Sequence, residues 1–308
     1  MKNKHNVFNF CLLNARSLVP KLNSFEETCQ ELLADVAVIT ETWFTDSRYT
    51  DSCLQDFEAK TNCTFIRRDR RIGRRGGGVA IWADNEKVQL TRARLPHSHH
   101  EVVAAIGRRV GQRRKILVIG AYVPPWYTAA QNRNFYSYVN DCLIQLHNRY
   151  DRPYVFVAGD FNKRDFKLAT CDFPEIKQIG TGPTRGNSVL DILGTNLNVQ
   201  ILESGVAPPI QNDFEGADAD HGVVYAAFRM ARVPQYEIES YSYHKITKNG
   251  LEKFGSWLRD ERKSGWMDIH SKSSSSEKVA LFHQKFNLAL NSCFETTTRK
   301  RSRQNLLG

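Results

Sequence analysis

Short, almost unbroken apolar runs recur along this chain, at Val7–Leu13, Val36–Thr40, Ile116–Tyr122 and Tyr154–Ala158. Each is strand-length, and Val36-Ala37-Val38-Ile39-Thr40 has the near-continuous apolar character of a strand buried on both faces. Helical patterns lie between them. Ser24-x-x-Glu27 reads as a capping box opening a helix with Phe25, Cys29 and Leu32 at helical spacing. Asn132–Arg149 carries the stripe Phe135, Val139, Cys142, Leu143 and Leu146, which suits packing on a sheet and carries no chemistry. Further strands are predicted at Phe65–Arg67, Val79–Ala83, Val102–Ile106, Val199–Glu203 and Val223–Phe228, separated by glycine-rich, charged or proline-containing turns. The alternation predicts a layered α/β domain.

The texture turns polar after Met230, so a boundary is predicted near residue 232. Residues 1–231 form the main domain, and 232–308 a helical or partly disordered extension with a basic end. Weak helices are expected in the extension near Leu251–Leu258 and at Glu277–Cys293, where Val279, Phe282, Phe286 and Leu290 share a stripe. No run is long enough for a membrane span, and Val7–Leu13 is too short and too interrupted for a signal-peptide core, so an intracellular chain without a membrane partner is expected. Cysteines occur singly with no C-x-x-C pair, which indicates neither a zinc site nor a disulfide framework and fits a reducing compartment. The formal net charge of +10 favours a polyanionic partner, since neutralised phosphates release counterions.

Polar side chains close several of the apolar runs. Gly159-Asp160-Phe161-Asn162 follows Tyr154–Ala158 and can turn an acid and an amide into one crevice at a strand's carboxyl end, where open α/β sheets place ligands. Alone, such a motif reads equally well as an Asx turn. Glu41 ends Val36–Thr40 and can supply oxygen to Mg²⁺, or be a solvated strand-end acid. Asn14 ends Val7–Leu13 as a phosphate-facing amide or a turn cap. Tyr122 closes Ile116–Ala121, where a core tyrosine is the default. Asp191 stands among apolar residues and calls for a partner, and Asp220-His221 precedes another strand.

Together, in this order, the set resembles the endonuclease/exonuclease/phosphatase family that includes pancreatic DNase and the apurinic endonucleases. It is most similar to the endonuclease domain of non-LTR (LINE-type) retrotransposons, through Leu13-Asn14-Ala15-Arg16-Ser17-Leu18, Ile39-Thr40-Glu41-Thr42-Trp43, Arg74-Arg75-Gly76-Gly77-Gly78-Val79-Ala80, Tyr122-Val123-Pro124-Pro125 and Gly182-Pro183-Thr184-Arg185. The resemblance covers residues 6–229 and implies a DNase I-like four-layer β-sandwich flanked by helices. It implies Mg²⁺, with Mn²⁺ as an alternative, held by Glu41 with Asn14 and Asp220 close by. Asp160 would address the attacking water, Asn162 and Tyr122 the phosphate, and His221, oriented by Asp191, the scissile phosphate. Arg16, Thr184 and Arg185 would face DNA. One departure is visible: Ala219 stands where the family usually has serine before Asp-His.

Arg67-Arg68-Asp69-Arg70-Arg71-Ile72-Gly73-Arg74-Arg75 ends in three glycines and reads as a phosphate-contacting loop, so Arg70, Arg71, Arg74 and Arg75 join the expected DNA-binding set. Arg108-Arg109 and Arg113-Arg114-Lys115 suit solvation or DNA contact equally. His97, His99 and His100 read as a loop, not a metal cluster. The run Arg299–Arg303 suits a nuclear-import or nucleic-acid tail and equally a solvated end. The expected activity is metal-dependent nicking of DNA, as in target-site cleavage for retrotransposition, in the nucleus. Elements of that kind carry a reverse transcriptase downstream; none lies within these 308 residues, so a fragment of a longer polyprotein, or a truncated or co-opted copy, is expected. The sequence is also compatible with a phosphatase or phospholipase of the same fold, and with a catalytically silent nucleic-acid-binding remnant.

Overall fold

The apolar runs assemble into two six-stranded sheets. The structure, a computed structural model, describes residues 7–70, 76–162, 166–197, 200–230, 236–264 and 266–304. These form two compact units, Met1–Val233 and Pro234–Gly308.

The first sheet contains β1 (Val7–Asn14), β2 (Val36–Thr40), β3 (Cys63–Arg68), β4 (Val79–Asp84), β11 (Ile201–Ala207) and β12 (Val223–Arg229), in the order β11-β12-β1-β2-β4-β3. The second contains β5 (Val88–Arg92), β6 (Glu101–Arg109), β7 (Ile116–Tyr122), β8 (Tyr154–Asp160), β9 (Lys177–Gln178) and β10 (Asp191–Thr195), in the order β5-β6-β7-β8-β10-β9. Each sheet holds a parallel pair at its centre. β1 runs parallel to β2 with Asn14 opposite Thr40, and β7 parallel to β8 with Tyr122 opposite Asp160. Parallel pairing sends the polar residues that end these strands out of the same edge of each sheet.

The inner faces of the two sheets share one core, in which the rings of Phe10 and Phe156 stack at 5.0 Å. Burial of each such aromatic contributes on the order of 1.5–3 kcal/mol. The outer face of the first sheet packs on α1 (Leu22–Glu31) and α2 (Arg48–Thr61) through Phe25, Cys29, Leu54 and Phe57. The second is covered by α3 (Ala129–Arg149) and α4 (Phe166–Ala169), with the sequence-predicted stripe of α3 buried. The result is the helix–sheet–sheet–helix layering of the DNase I-like fold.

Gly159 is a steric requirement of this arrangement. A Cβ at that position would lie 1.8 Å from the Ala121 carbonyl oxygen, so the strand delivering Asp160 can lie against β7 only with glycine before the acid.

Local pattern misjudged one helix start. Ser24 lies inside α1 and forms no capping box with Glu27; the helix opens at Leu22 without a cap from its own N-terminal residue. Its free amides are taken by Asp213, whose carboxylate accepts from Asn23 N at 2.9 Å and Ser24 N at 3.0 Å. A sequence-distant acid thus does what the capping box was expected to do, with a charge suited to a helix N-terminus. α2, β5 and β10 were not read from the sequence. In α2 the buried set is only Thr50, Leu54 and Phe57 on an otherwise polar helix, which leaves a weak apolar stripe.

The second unit contains the two expected helices, extended to α5 (Lys248–Ser264) and α7 (Ser275–Cys293), with the short α6 (Met267–His270) between them. A capping box of Ser274 and Glu277 opens α7. Phe254 packs on Trp257, Phe286 and Phe294. Unforeseen is a two-stranded antiparallel sheet of β13 (Tyr236–Lys245) and β14 (Glu295–Gln304). The run Arg299–Arg303 is therefore strand backbone, following three β-branched threonines, Thr296 to Thr298, that favour extended chain. Among the described residues no helix is long and apolar enough to cross a membrane.

The Asp213 cap carries a prediction. Asp213→Ala should lower stability by about 1 kcal/mol in chemical denaturation, the usual cost of a lost N-cap acceptor, while Glu27→Ala should change it by a few tenths at most.

Candidate active site

The polar residues closing β1, β2, β7 and β8 meet across the gap between the sheets. Asn14, at the end of β1, donates from Nδ2 to Asp160 Oδ2 at 3.0 Å, a bond from the first sheet to the second. Its Oδ1 accepts from Arg16 N at 3.1 Å, which turns the following loop. That loop carries two successive non-glycine residues with positive φ, Arg16 at 42° and Ser17 at 76°. Lys21, only 1% exposed, holds it by donating to the Arg16 carbonyl at 2.8 Å and the Ser17 carbonyl at 3.0 Å. Burial, and then the nearby charge of Arg16, pull the Lys21 ammonium below its ordinary pKa.

Asp160 is buried at the end of β8, directly opposite Asp191 at the start of β10. Burial pushes its pKa up to about 7, helped by the charge of Asp191; His221, the Asn162 amide and Asn14 pull the other way. Asp191 is fully buried and its Oδ2 lies 2.6 Å from His221 Nδ1. Its other oxygen, Oδ1, is buried without a hydrogen-bond partner among the described residues. Burial lowers the pKa of His221, but the Asp191 bond and the charges of Asp191, Asp160 and Asp220 outweigh it, and the net shift is upward. Ligand atoms of Asp160, Asp191 and His221 all lie within 4.8 Å of one another.

Other expected residues surround this cluster. Tyr122 is buried and its hydroxyl donates to Glu41 Oε1; burial and the Glu41 charge push the phenol pKa upward. Glu41, with φ of 51°, takes a second donor in Trp43 Nε1 and a third in Gly77 N, at 2.7 Å. Asn162, with φ of 41°, donates from Nδ2 to the Val123 carbonyl at 2.8 Å. Asp220 is exposed, pairs with Arg185 at 2.7 Å, and has Oδ1 4.0 Å from His221 Nε2. Thr184 is buried; its hydroxyl accepts from Leu190 N at 3.1 Å and Asp191 N at 3.3 Å, which sets the start of β10. Arg16 is exposed beside the cleft. Arg70 turns inward onto Glu101, away from solvent. Arg71, Arg74 and Arg75 lie outside the described residues. Ala219 is buried in the apolar cluster outside the first sheet, so packing there makes no demand for a hydroxyl.

Sequence reasoning missed Trp43 as a donor to Glu41, Thr184 as the support of Asp191, Lys21, and Glu101. Only Trp43 had a local signal, its place two residues after a strand-ending acid.

The donor set suits a hard divalent cation. The carboxylates of Asp160 and Asp191 converge in a buried cluster beside His221, whose Nδ1 is taken by Asp191, and Asp191 Oδ1 is left without a partner among the described residues. The sequence reading put the metal at Glu41, Asn14 and Asp220. Among the described residues, ligand atoms of Asp160, Asp191 and His221 converge, and to this cluster Asn14 is joined through Asp160 and Glu41 by way of Tyr122, which pairs with Asp160 in the β7–β8 register.

Residues 5–216 match the sequence profile of the Endonuclease/Exonuclease/phosphatase family, and the chain belongs to that family. No curated protein sequence matches it. Among solved structures, humanized D. rerio TDP2 is similar at a TM-score of 0.54 and 13% identity, covering 73% of this chain and 99% of that one. The Neisseria 3' phosphatase NExo, bound to product DNA hairpin, is similar at a TM-score of 0.53 and 13% identity, covering 72% and 99%. The human Nocturnin catalytic domain gives 0.55 and 12% identity, covering 75% and 96%. At these identities the likeness is one of fold.

The Asp191–His221 pair carries a prediction. In metal-free protein, His221 should titrate above its ordinary 6.5 by NMR, and Asp191→Asn should bring it below that value, because burial is then opposed only by the weaker charges of Asp160 and Asp220. A folded pKa above the unfolded one means that His221 protonation favours the native state. That contribution is fully present below the unfolded pKa and is lost as pH rises through the folded one.

Proposed function

We propose that this chain is a divalent-metal-dependent endonuclease that hydrolyses phosphodiester bonds in DNA, of the kind that opens a target site for non-LTR retrotransposition. The observation that carries the chemistry is the Asp191–His221 bond of 2.6 Å beside Asp160. Asp160, with a pKa near neutrality, is suited to take the proton of an attacking water. Asp191 occupies His221 Nδ1, so Nε2 is the nitrogen free to meet a phosphoryl oxygen, and the raised pKa favours the protonated ring. Glu41, joined to this cluster through Tyr122, would hold a divalent cation, which when bound would neutralise charge building on the phosphoryl group. Tyr122 and Asn14 hold Glu41 and Asp160 in place.

The choice of DNA rests on charge and kinship. The formal net charge of +10 suits a phosphate backbone. The likeness to a Neisseria 3' phosphatase bound to DNA and to an AP endonuclease from Archaeoglobus fulgidus supports the same substrate class. A reverse transcriptase region on a longer polyprotein is the partner this role implies.

Asp160→Ala and His221→Ala should each lower Mg²⁺-dependent nicking of a DNA duplex by about 10²–10⁴-fold, the usual contribution of a general acid or base, with far-UV circular dichroism unchanged. Wild-type rates in both variants would remove these residues from the reaction. Faster phosphate release from phosphomonoesters than nicking of DNA would favour a phosphatase instead.

A further inference from the structure

Glycines 76 to 78 all have positive φ, at 104°, 79° and 87°, and their backbone serves two carboxylates in alternation. Gly77 N donates to Glu41 Oε2 at 2.7 Å, and Gly78 N donates to Glu101 Oε2. The same peptides accept in return, Gly77 O from Trp43 N at 2.9 Å and Gly78 O from Thr42 N at 3.4 Å. A side chain is excluded here: a Cβ on Gly77 would meet the Arg70 guanidinium at 2.1 Å, and one on Gly78 the Thr42 hydroxyl at 2.5 Å.

Behind this turn lies a buried ion pair. Arg70 Nε donates to Glu101 Oε1 at 2.6 Å, with the two side chains 11% and 9% exposed. The guanidinium lies over the rings of Tyr122 and Trp126, at 5.8 and 5.0 Å, and its two Nη nitrogens are buried without a hydrogen-bond partner among the described residues. As a stability device such a pair is poor, since desolvating both charges offsets their attraction. Its geometry has another use. Glu101 stands opposite Tyr122 in the β6–β7 register, so one carboxylate, held by Arg70, anchors the glycine turn next to the tyrosine that also binds Glu41.

We propose that Arg70 and Glu101 are positioning residues for Glu41: together they hold Gly78, and through it the Gly77 N–H, so that the Glu41 carboxylate is aimed into the cleft for a divalent cation. This rests on the metal-dependent reading above. The density of arginine before Gly76 is then partly internal scaffolding, with Arg70 assigned to the site's frame and not to the DNA surface.

The test is calorimetric titration of the metal-free chain with Mn²⁺ alone, beside unfolding midpoints measured without metal. The double variant Arg70→Met with Glu101→Leu removes both charges together and leaves neither buried alone. It should stay folded with a Kd for Mn²⁺ raised about 10- to 100-fold, the usual cost of losing the groups that orient metal ligands. Glu101→Gln, which keeps an oxygen for the Gly78 N–H, should raise it less, and the Mg²⁺ concentration giving half-maximal nicking should rise in step while the maximal rate holds. A purely structural role would move the unfolding midpoint and leave the Mn²⁺ affinity alone; that result overturns the proposal. Should the double variant not fold, Glu101→Gln decides, and wild-type Mn²⁺ affinity in that variant overturns it. A wild-type chain that takes up no Mn²⁺ overturns the metal-dependent reading and this inference with it, an outcome distinct from a variant that binds as wild type does.

Discussion

The hydrogen bond between Asn14 and Asp160 holds the two sheets of the first unit to one purpose. Each sheet has a parallel pair at its centre, and each pair ends in polar residues at its carboxyl edge. Only when the sheets pack with those edges together do Asn14 and Glu41 from one meet Tyr122 and Asp160 from the other. Packing on the inner faces, led by Phe10 against Phe156, brings the edges into that alignment. The cleft is therefore a consequence of the core, and the charges in it are placed by elements that are rigid for apolar reasons.

Burial then sets the chemistry. Three ionisable groups share a small volume, and their environments drive the pKa of Asp160 up toward neutrality and keep His221 inclined to the protonated form. The raised Asp160 pKa costs stability where that carboxyl must ionise, whereas the raised His221 pKa favours the native state below it, and shifted values of this kind are common where protons or metals are handled. Unusual backbone also lies around the cluster: Arg16, Ser17, Glu41, Trp43 and Asn162 all have positive φ without being glycine. Each of the first four is tied down by contacts from other elements, Lys21 for the first loop and the glycine turn for Glu41 and Trp43.

Much of this was legible in the sequence because the chemistry stands at strand ends. Asp160, Glu41 and Asn14 interrupt apolar runs where a strand must stop, and Asp191 is an acid among apolar neighbours that needed a partner, found in His221. The rest depends on contacts between residues far apart in the chain. Ser24 and Glu27 make a plausible cap locally, yet Asp213 reaches the helix first. Glu101 opens a strand after a histidine-rich loop, and nothing near it announces Arg70 or Gly78 as its partners. Arg70 belongs to a run whose density suggests phosphate contact, and it turns inward because a buried carboxylate waits there. The strands of the second unit escaped notice because their residues are mostly polar, which leaves little alternation to read.

The most direct test of the central claim is the conversion of supercoiled plasmid to open circles by the purified wild-type chain, with Mg²⁺ and after chelation. Nicking that appears with Mg²⁺ and stops when the metal is removed is the expected result. Equal nicking in both conditions, or DNA binding with no strand break under either, would contradict a metal-dependent phosphodiesterase built on Asp160, Asp191 and His221.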